Sequence, residues 1–295
     1  MRIVLAGALG EVGRSLHAAL GDRGHEVIPV SARAPRPGRP DVLGLPALAE
    51  LARSGSIDAL VHAGGSGDHR PRTREFMAWS RELLKVCRDF PAILISTIRV
   101  IEGYEGSLRE DSVARAVTAY GRANAELEAL WREVDDGSVL RLVNFFGAPS
   151  TADAPQTRLL PWSLVLEGWQ TGEIAVRSQP SLVKEFVDAG DVACALDVML
   201  ASASAGQTIV AGPGLTLSMQ QLVEASVRAC SAAGRVGVRV SFGDEAPATA
   251  WQMEPNWLAE HGWASTLNGD QMIREMTAWL VEWGAGLPAS GSDRG

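Results

Sequence analysis

The chain has 295 residues, of which 46% are hydrophobic and 21% charged, and its formal net charge is -8. A single large core with a smaller appended lobe fits this size, and the composition is that of a soluble globular protein rather than a disordered one. The acidic balance argues against a nucleic-acid partner, which requires a basic face, and directs attention to a small-molecule ligand.

The opening run Met1–Gly7 is apolar but too short for a signal segment or a membrane span, so a cytoplasmic protein without a membrane partner is expected. β-rich runs at Ile3–Ala6, Glu26–Val30, Ala59–His62, Ala92–Ser96 and Val139–Asn144 alternate with segments of helical spacing. Val12, Leu16, Ala19 and Leu20 share one helical face, as do Phe76, Leu83, Leu84 and Cys87. The runs are apolar throughout, as in strands buried on both faces. The pattern predicts an α/β fold: a Rossmann-type doubly wound parallel sheet with a smaller C-terminal substrate lobe.

After Asn144 the pattern becomes mixed. A helix is expected around Pro161–Gln170, a strand at Ile174–Val176, and a helix over Asp191–Leu200. Ser218 then caps a helix running to about Cys230, and a strand follows at Val236–Ser241. The expected division is a dinucleotide-binding core over 1–147, a region over 148–283 that is mainly substrate lobe with returning core elements, and a disordered tail over 284–295. Cys87, Cys194 and Cys230 show no paired spacing and read as buried apolar positions in a reducing compartment. The histidines show no ligand spacing, so no metal is expected.

Gly7-Ala8-Leu9-Gly10-Glu11-Val12-Gly13 lies between the first strand and the first helix. Glycines there let backbone N–H groups approach a pyrophosphate at a helix N-terminus, although a tight turn without a ligand uses the same residues. Gly7, Leu9, Gly10, Glu11, Val12 and Gly13 are the candidate cofactor contacts. The second strand ends Val30-Ser31-Ala32-Arg33 and lacks the acid that would hold the ribose hydroxyls of NAD(H). Ser31 and Arg33 suit a 2′-phosphate instead, so NADP(H) is favoured over NAD(H). Ala63 and Gly64, after the third strand, should also border the cofactor. His62 beside them reads as a histidine satisfied within the fold rather than a catalytic one. Asp68-His69-Arg70 is either a substrate-receiving loop or ordinary polar surface.

Further on stand Ile95-Ser96-Thr97-Ile98-Arg99-Val100-Ile101-Glu102-Gly103 and Tyr120-Gly121-Arg122-Ala123-Asn124. With Leu140–Gly147, Lys184–Asp191 and His261-Gly262-Trp263, these resemble the extended short-chain dehydrogenase/reductase family, also called the NAD-dependent epimerase/dehydratase family. The local likeness is greatest to dTDP-4-dehydrorhamnose reductases. The resemblance covers nearly the whole chain and implies that Tyr120 and Thr97 are catalytic. Thr97 would hold the reacting oxygen by a hydrogen bond, and Tyr120 would exchange its proton during hydride transfer. Tyr120 and Asn124 also fall among the residues lining the cofactor, and Thr97, Ile98, Asn144 and Trp162 among those facing substrate. Trp162, and Trp169 on the same segment, read as core packing or a dimer seam rather than as substrate stackers, although they could face a sugar or ring. A homodimer is the family expectation.

Two positions depart from the family pattern. The lysine expected four residues after Tyr120 is Asn124, which can reach a ribose but brings no positive charge to help ionise a phenol. The asparagine that many members carry on the preceding helix falls on Phe76. The resulting expectation is an NADP(H)-dependent reductase, or an epimerase-like oxidoreductase, acting on a nucleotide sugar or on a polyhydroxylated or secondary-metabolite carbonyl, with Tyr120 as proton donor. The alternatives are a non-redox isomerase or lyase using Tyr120 and Thr97, and a catalytically inactive dinucleotide-binding protein.

Overall fold

The structure is a computed structural model that describes the chain except residues 34–38, 65–73, 104–105, 109, 111, 151–156, 158, 203, 246–250, 254–256 and 285–295. In chain order the elements begin β1 (Arg2–Ala6), α1 (Glu11–Asp22), β2 (Glu26–Val30), α2 (Leu45–Arg53), β3 (Ala59–His62), α3 (Arg74–Val86) and β4 (Ala92–Thr97). A 3₁₀ turn over Ile98–Val100 follows, then β5 (Gly106–Leu108), α4 (Ala119–Trp131), β6 (Gly137–Leu142) and β7 (Asn144–Phe146). The remainder comprises α5 (Trp162–Thr171), β8 (Glu173–Ser178), β9 (Val183–Asp188), α6 (Ala189–Ala201), β10 (Thr208–Ala211), β11 (Leu215–Ser218) and α7 (Met219–Ala232). Last come β12 (Arg239–Glu245), β13 (Trp251–Met253), α8 (Trp257–Glu260) and α9 (Gly269–Trp283).

The chain forms two compact units, one of residues 1–145, 187–212 and 249–264 and one of residues 146–186, 213–248 and 265–295. The first unit is built on a six-stranded sheet ordered β10-β6-β4-β3-β1-β2, parallel throughout. This is a Rossmann-type sheet, and its winding reverses between β1 and β3, where doubly wound sheets bind ligands at the carboxyl ends of their strands.

Strand periodicity explains why β1 is apolar at every position. Ile3 and Leu5 join a cluster with Leu16 and Leu20 of α1 and Val192 and Leu196 of α6. Val4 and Ala6 face the opposite layer, with Leu48, Leu83, Leu127 and Trp131 from α2, α3 and α4. Each such large side chain, fully buried, contributes about 1.5–3 kcal/mol.

The strand expected over Val139–Asn144 is two strands. β6 stays in the parallel sheet between β4 and β10, while β7 begins at Asn144 and pairs in a three-stranded sheet ordered β11-β9-β7. The helix expected at Asp191–Leu200 is α6, which packs on α1 within the first unit, and β10 closes that unit's sheet edge. The second unit centres on α5, α7 and α9, whose buried faces supply Val165, Leu222, Val223, Met272 and Met276. Ser218 caps α7 in a reciprocal capping box with Gln221, as its position before the apolar run predicts. Among the described residues no helix is long and apolar enough to cross a membrane.

Candidate active site

The carboxyl ends of β1 and β3 meet through backbone alone. Gly7 has φ +83°, and a Cβ built on it would lie 2.5 Å from the Gly64 nitrogen. Only glycine takes this conformation cheaply and leaves room for the neighbouring loop. The Gly7 N–H donates to the Val30 carbonyl at 3.0 Å, and the Gly10 N–H turns back to the Gly7 carbonyl at 2.9 Å. Gly13 packs its α-carbon against the Gly7 carbonyl, so the glycine turn and the start of α1 form one closely fitted piece. Gly10 is the N-cap of α1 and has no side chain to satisfy the first-turn N–H groups, which is the arrangement that receives a phosphate. Leu9 sits in the turn, with Glu11 and Val12 in the first helical turn.

Gly7→Ala is therefore expected to destabilise the first unit by about 1–3 kcal/mol and to weaken dinucleotide binding on the order of tenfold, because the displaced Gly64 loop borders the same space. Urea denaturation and calorimetric titration with NAD(H) and NADP(H) check the two parts separately. Unchanged affinity in a destabilised variant would detach this turn from cofactor binding.

Ser31 and Arg33 lie just past β2. The Ser31 hydroxyl accepts from the Arg33 N–H at 3.1 Å, closing a small turn that leaves Arg33 exposed. Arg39 is held by Asp41 through contacts of 2.8 and 3.0 Å, in keeping with a solvated loop residue. Ala63 donates its N–H to the Ala6 carbonyl at 2.8 Å, placing Ala63 and Gly64 beside the glycine turn.

His62 is fully buried among the rings of Phe76, Trp79 and Trp131. The Ser80 hydroxyl donates to the Phe76 carbonyl at 3.0 Å and faces His62 Nε2 at 3.4 Å, while His62 Nδ1 accepts from the Gly64 N–H at 3.2 Å. These contacts are met together by the Nε2–H tautomer. The ring is a packed, hydrogen-bonded part of the fold, and Phe76 stands edge-on against it.

Thr97 ends β4 and caps the 3₁₀ turn, its hydroxyl accepting from the Arg99 N–H at 3.3 Å. Helix α4 packs on both β4 and that turn. Gly121 rests directly against the Arg99 carbonyl, so any side chain at 121 would push the helix away. Tyr120, half-buried, lies in the first turn of α4, which is thereby seated against the turn that follows β4. Asn124 is buried and bends back along the helix, its Nδ2 donating to the Tyr120 carbonyl at 2.9 Å. Arg99 is bound to Glu102 at 2.9 Å, and Arg122 donates to the Val117 carbonyl at 2.8 Å.

A further set of residues, missed in the sequence, holds α4 in place. Glu128 and Arg141 are fully buried and paired through contacts of 2.9 and 2.7 Å. Glu128 also accepts from the Ser96 hydroxyl at 2.6 Å and from Arg132 at 2.9 Å. Arg141 reaches the Glu110 and Ser112 carbonyls, and the Glu110 carboxylate accepts from the Val210 and Trp257 N–H groups, both at 2.7 Å. The signal available was an arginine inside an otherwise apolar strand run.

Other expected positions fall elsewhere. Ile98 buries its side chain in the sheet core. Asn144 starts β7 and is half-buried. Trp162 is 1% exposed in the second unit, stacked at 5.4 Å on Phe146 and edge-on to Trp279 at 5.5 Å. Packing is the role its burial supports. Trp169 donates its Nε1–H to the Gly284 carbonyl at 3.2 Å. Burial pushes the Cys87 thiol up to about 12 and the Cys230 thiol to about 11, so both are apolar core groups rather than nucleophiles, whereas Cys194 is only half-buried. Asp68, His69, Arg70 and the tail over 285–295 lie outside the described residues.

Residues 3–212 match the model of the NAD dependent epimerase/dehydratase family. No curated protein sequence matches the chain significantly. Among solved structures, MoeE5 in complex with UDP-glucose and NAD is similar at a TM-score of 0.72 and 17% identity, over 96% of this chain and 99% of that one. The dTDP-glucose 4,6-dehydratase of Bacillus anthracis str. Ames, in complex with NAD, is similar at a TM-score of 0.72 and 14% identity, over 97% and 99%. UDP-glucuronic acid 4-epimerase from Bacillus cereus, in complex with UDP-glucuronic acid and NAD, follows at 0.68 and 15%, over 96% and 99%. At these identities the likeness establishes the shared fold. The family match, which spans the glycine turn, Thr97, Tyr120 and the strands that carry them, settles membership: the chain belongs to the NAD-dependent epimerase/dehydratase family.

Proposed function

We propose that this protein is a nicotinamide-dependent oxidoreductase of the epimerase-like kind that acts on a nucleotide sugar, with Tyr120 as proton donor and Thr97 holding the reacting oxygen. The observation that carries this reading is the seating of Gly121 against the Arg99 carbonyl, which brings the first turn of α4 to the end of β4. The glycine turn at Gly7, Gly10 and Gly13 fits a dinucleotide, since Gly10 caps α1 without a side chain and leaves the first-turn N–H groups for a phosphate. When bound, the nicotinamide supplies or accepts hydride; the chain's own residues hold the oxygen and move its proton. The proteins of similar structure named above are nucleotide-sugar enzymes that carry NAD, which supports the substrate class. For this chain Ser31 and Arg33, with no acid at the end of β2, favour NADP(H), and Arg33→Ala should narrow that preference severalfold in paired titrations.

Asn124 gives the reaction a direction. Its amide is turned to the Tyr120 carbonyl and carries no charge, so the site suits protonation of a carbonyl oxygen better than deprotonation of an alcohol. Native mass spectrometry of protein purified without additives, followed by assays of both directions with UDP- and dTDP-sugars, tests the proposal. Failure to bind either dinucleotide, or faster oxidation than reduction at neutral pH, would sink it. Asn124→Lys is expected to raise oxidation on the order of tenfold, since a nearby cation favours an ionised phenol, and to change reduction much less.

A further inference from the structure

Outside the residues that meet cofactor or substrate, one buried carboxylate is joined to the turn carrying Tyr120. Glu102 lies three residues past Arg99 and is 7% exposed. Its Oε1 accepts from the Thr118 hydroxyl at 2.8 Å, and its Oε2 accepts from Arg99 Nη1 at 2.9 Å. Thr118 is the N-cap of α4, and its oxygen accepts from the Gly121 N–H at 3.1 Å. A hydroxyl has one proton. Giving it to Glu102 fixes the Thr118 rotamer and aims a lone pair at Gly121. Two backbone bonds run alongside, from Arg115 N–H to the Val100 carbonyl at 2.8 Å and from Gly103 N–H to the Arg115 carbonyl at 3.1 Å. The same carboxylate therefore holds both the 3₁₀ turn after Thr97 and the cap of the helix that begins beside Tyr120.

We infer that Glu102 is a positioning residue for Tyr120, acting through the Thr118 cap. The inference rests on the proposed role of Tyr120 for its catalytic consequence, but the position itself can be read without turnover. The chain has only 2 tyrosines, Tyr104 and Tyr120. In a Tyr104→Phe background grown with 3-fluorotyrosine, one ¹⁹F resonance reports Tyr120 alone. Glu102→Ala and Thr118→Val are each expected to move or split that resonance. Glu102→Gln, which still accepts from Thr118, should restore it although the charge pair with Arg99 is gone. The shift of the Glu102→Ala, Thr118→Val double variant should fall short of the sum of the two single shifts, because both cut the Glu102–Thr118 link.

An unmoved resonance in Glu102→Ala, shifts that add in the double variant, or no restoration by Glu102→Gln each overturns the inference. Thr118 is exposed, so if Glu102→Ala does not fold, Thr118→Val decides: its unmoved resonance is equally fatal. With a substrate in hand, Glu102→Ala should lower kcat about tenfold at unchanged KM, with recovery in Glu102→Gln. If Tyr120→Phe leaves turnover intact, the catalytic reading fails while the resonance still decides the positional one.

Discussion

Tyr120→Phe is expected to lower carbonyl reduction by about 10²–10⁴-fold, the usual worth of a positioned general acid, with little change in stability or in dinucleotide affinity. The ring stays to fill the half-buried site, and α4 keeps its Thr118 cap and its contact through Gly121. Only the hydroxyl is lost. Thr97→Val tests the partner: its hydroxyl accepts from the Arg99 N–H, so the substitution also loosens the 3₁₀ turn and should affect both turnover and stability. Steady-state rates with dTDP- and UDP-sugars, beside calorimetric cofactor titrations, separate these effects. A Tyr120→Phe protein within threefold of the parent would transfer proton donation to another group.

Glu128→Ala should cost about 3–5 kcal/mol, because it strips the counter-ion from a guanidinium that the fold has already removed from water. Arg141 is 1% exposed and Glu128 fully buried, so no solvent relieves the charge left behind. The Ser96 hydroxyl loses its acceptor in the same step. Replacing both charges, as in Glu128→Met with Arg141→Met, should recover much of the loss, since a buried pair gains little over well-packed apolar groups. Urea denaturation followed by far-ultraviolet circular dichroism measures both variants. If the single variant proved as stable as the double one, the pair would contribute no more than a surface bridge, about 0–1 kcal/mol. Glu128 lies on the helical face of Tyr120 and Asn124, four residues further on, so the single variant should also loosen the site.

Several features were legible along the chain because their physical cause is local. Glycines at 7, 10 and 13, flanked by an apolar strand and a helical stripe, specify a turn that few other residues can make. Ser218 three residues before Gln221 specifies a helix start, and the capping box is there. The core strands were evident because burial on both faces removes polar residues from every position.

What escaped the sequence depends on partners distant in the chain. Glu128 and Arg141 look like ordinary charges until β6 is laid beside β4 and α4 is laid over both. The split of Val139–Asn144 into β6 and β7 follows from which neighbour each half can pair with, and that neighbour lies beyond residue 182 or before residue 98. The 3₁₀ turn after Thr97 buries the Ile98 side chain in the sheet core, a placement that spacing alone does not reveal.

By itself, then, the sequence determined the layered α/β fold, the glycine turn, and the presence of Thr97 and of Tyr120 with Asn124 four residues on, because these are matters of residue type and short-range spacing. The tertiary structure alone decided that Asn124 turns to its own helix, that Arg99 is committed to Glu102, and that a buried Glu128–Arg141 pair anchors α4. Each of those outcomes is a choice among hydrogen-bonding partners, and desolvation makes that choice binding only once the elements have packed.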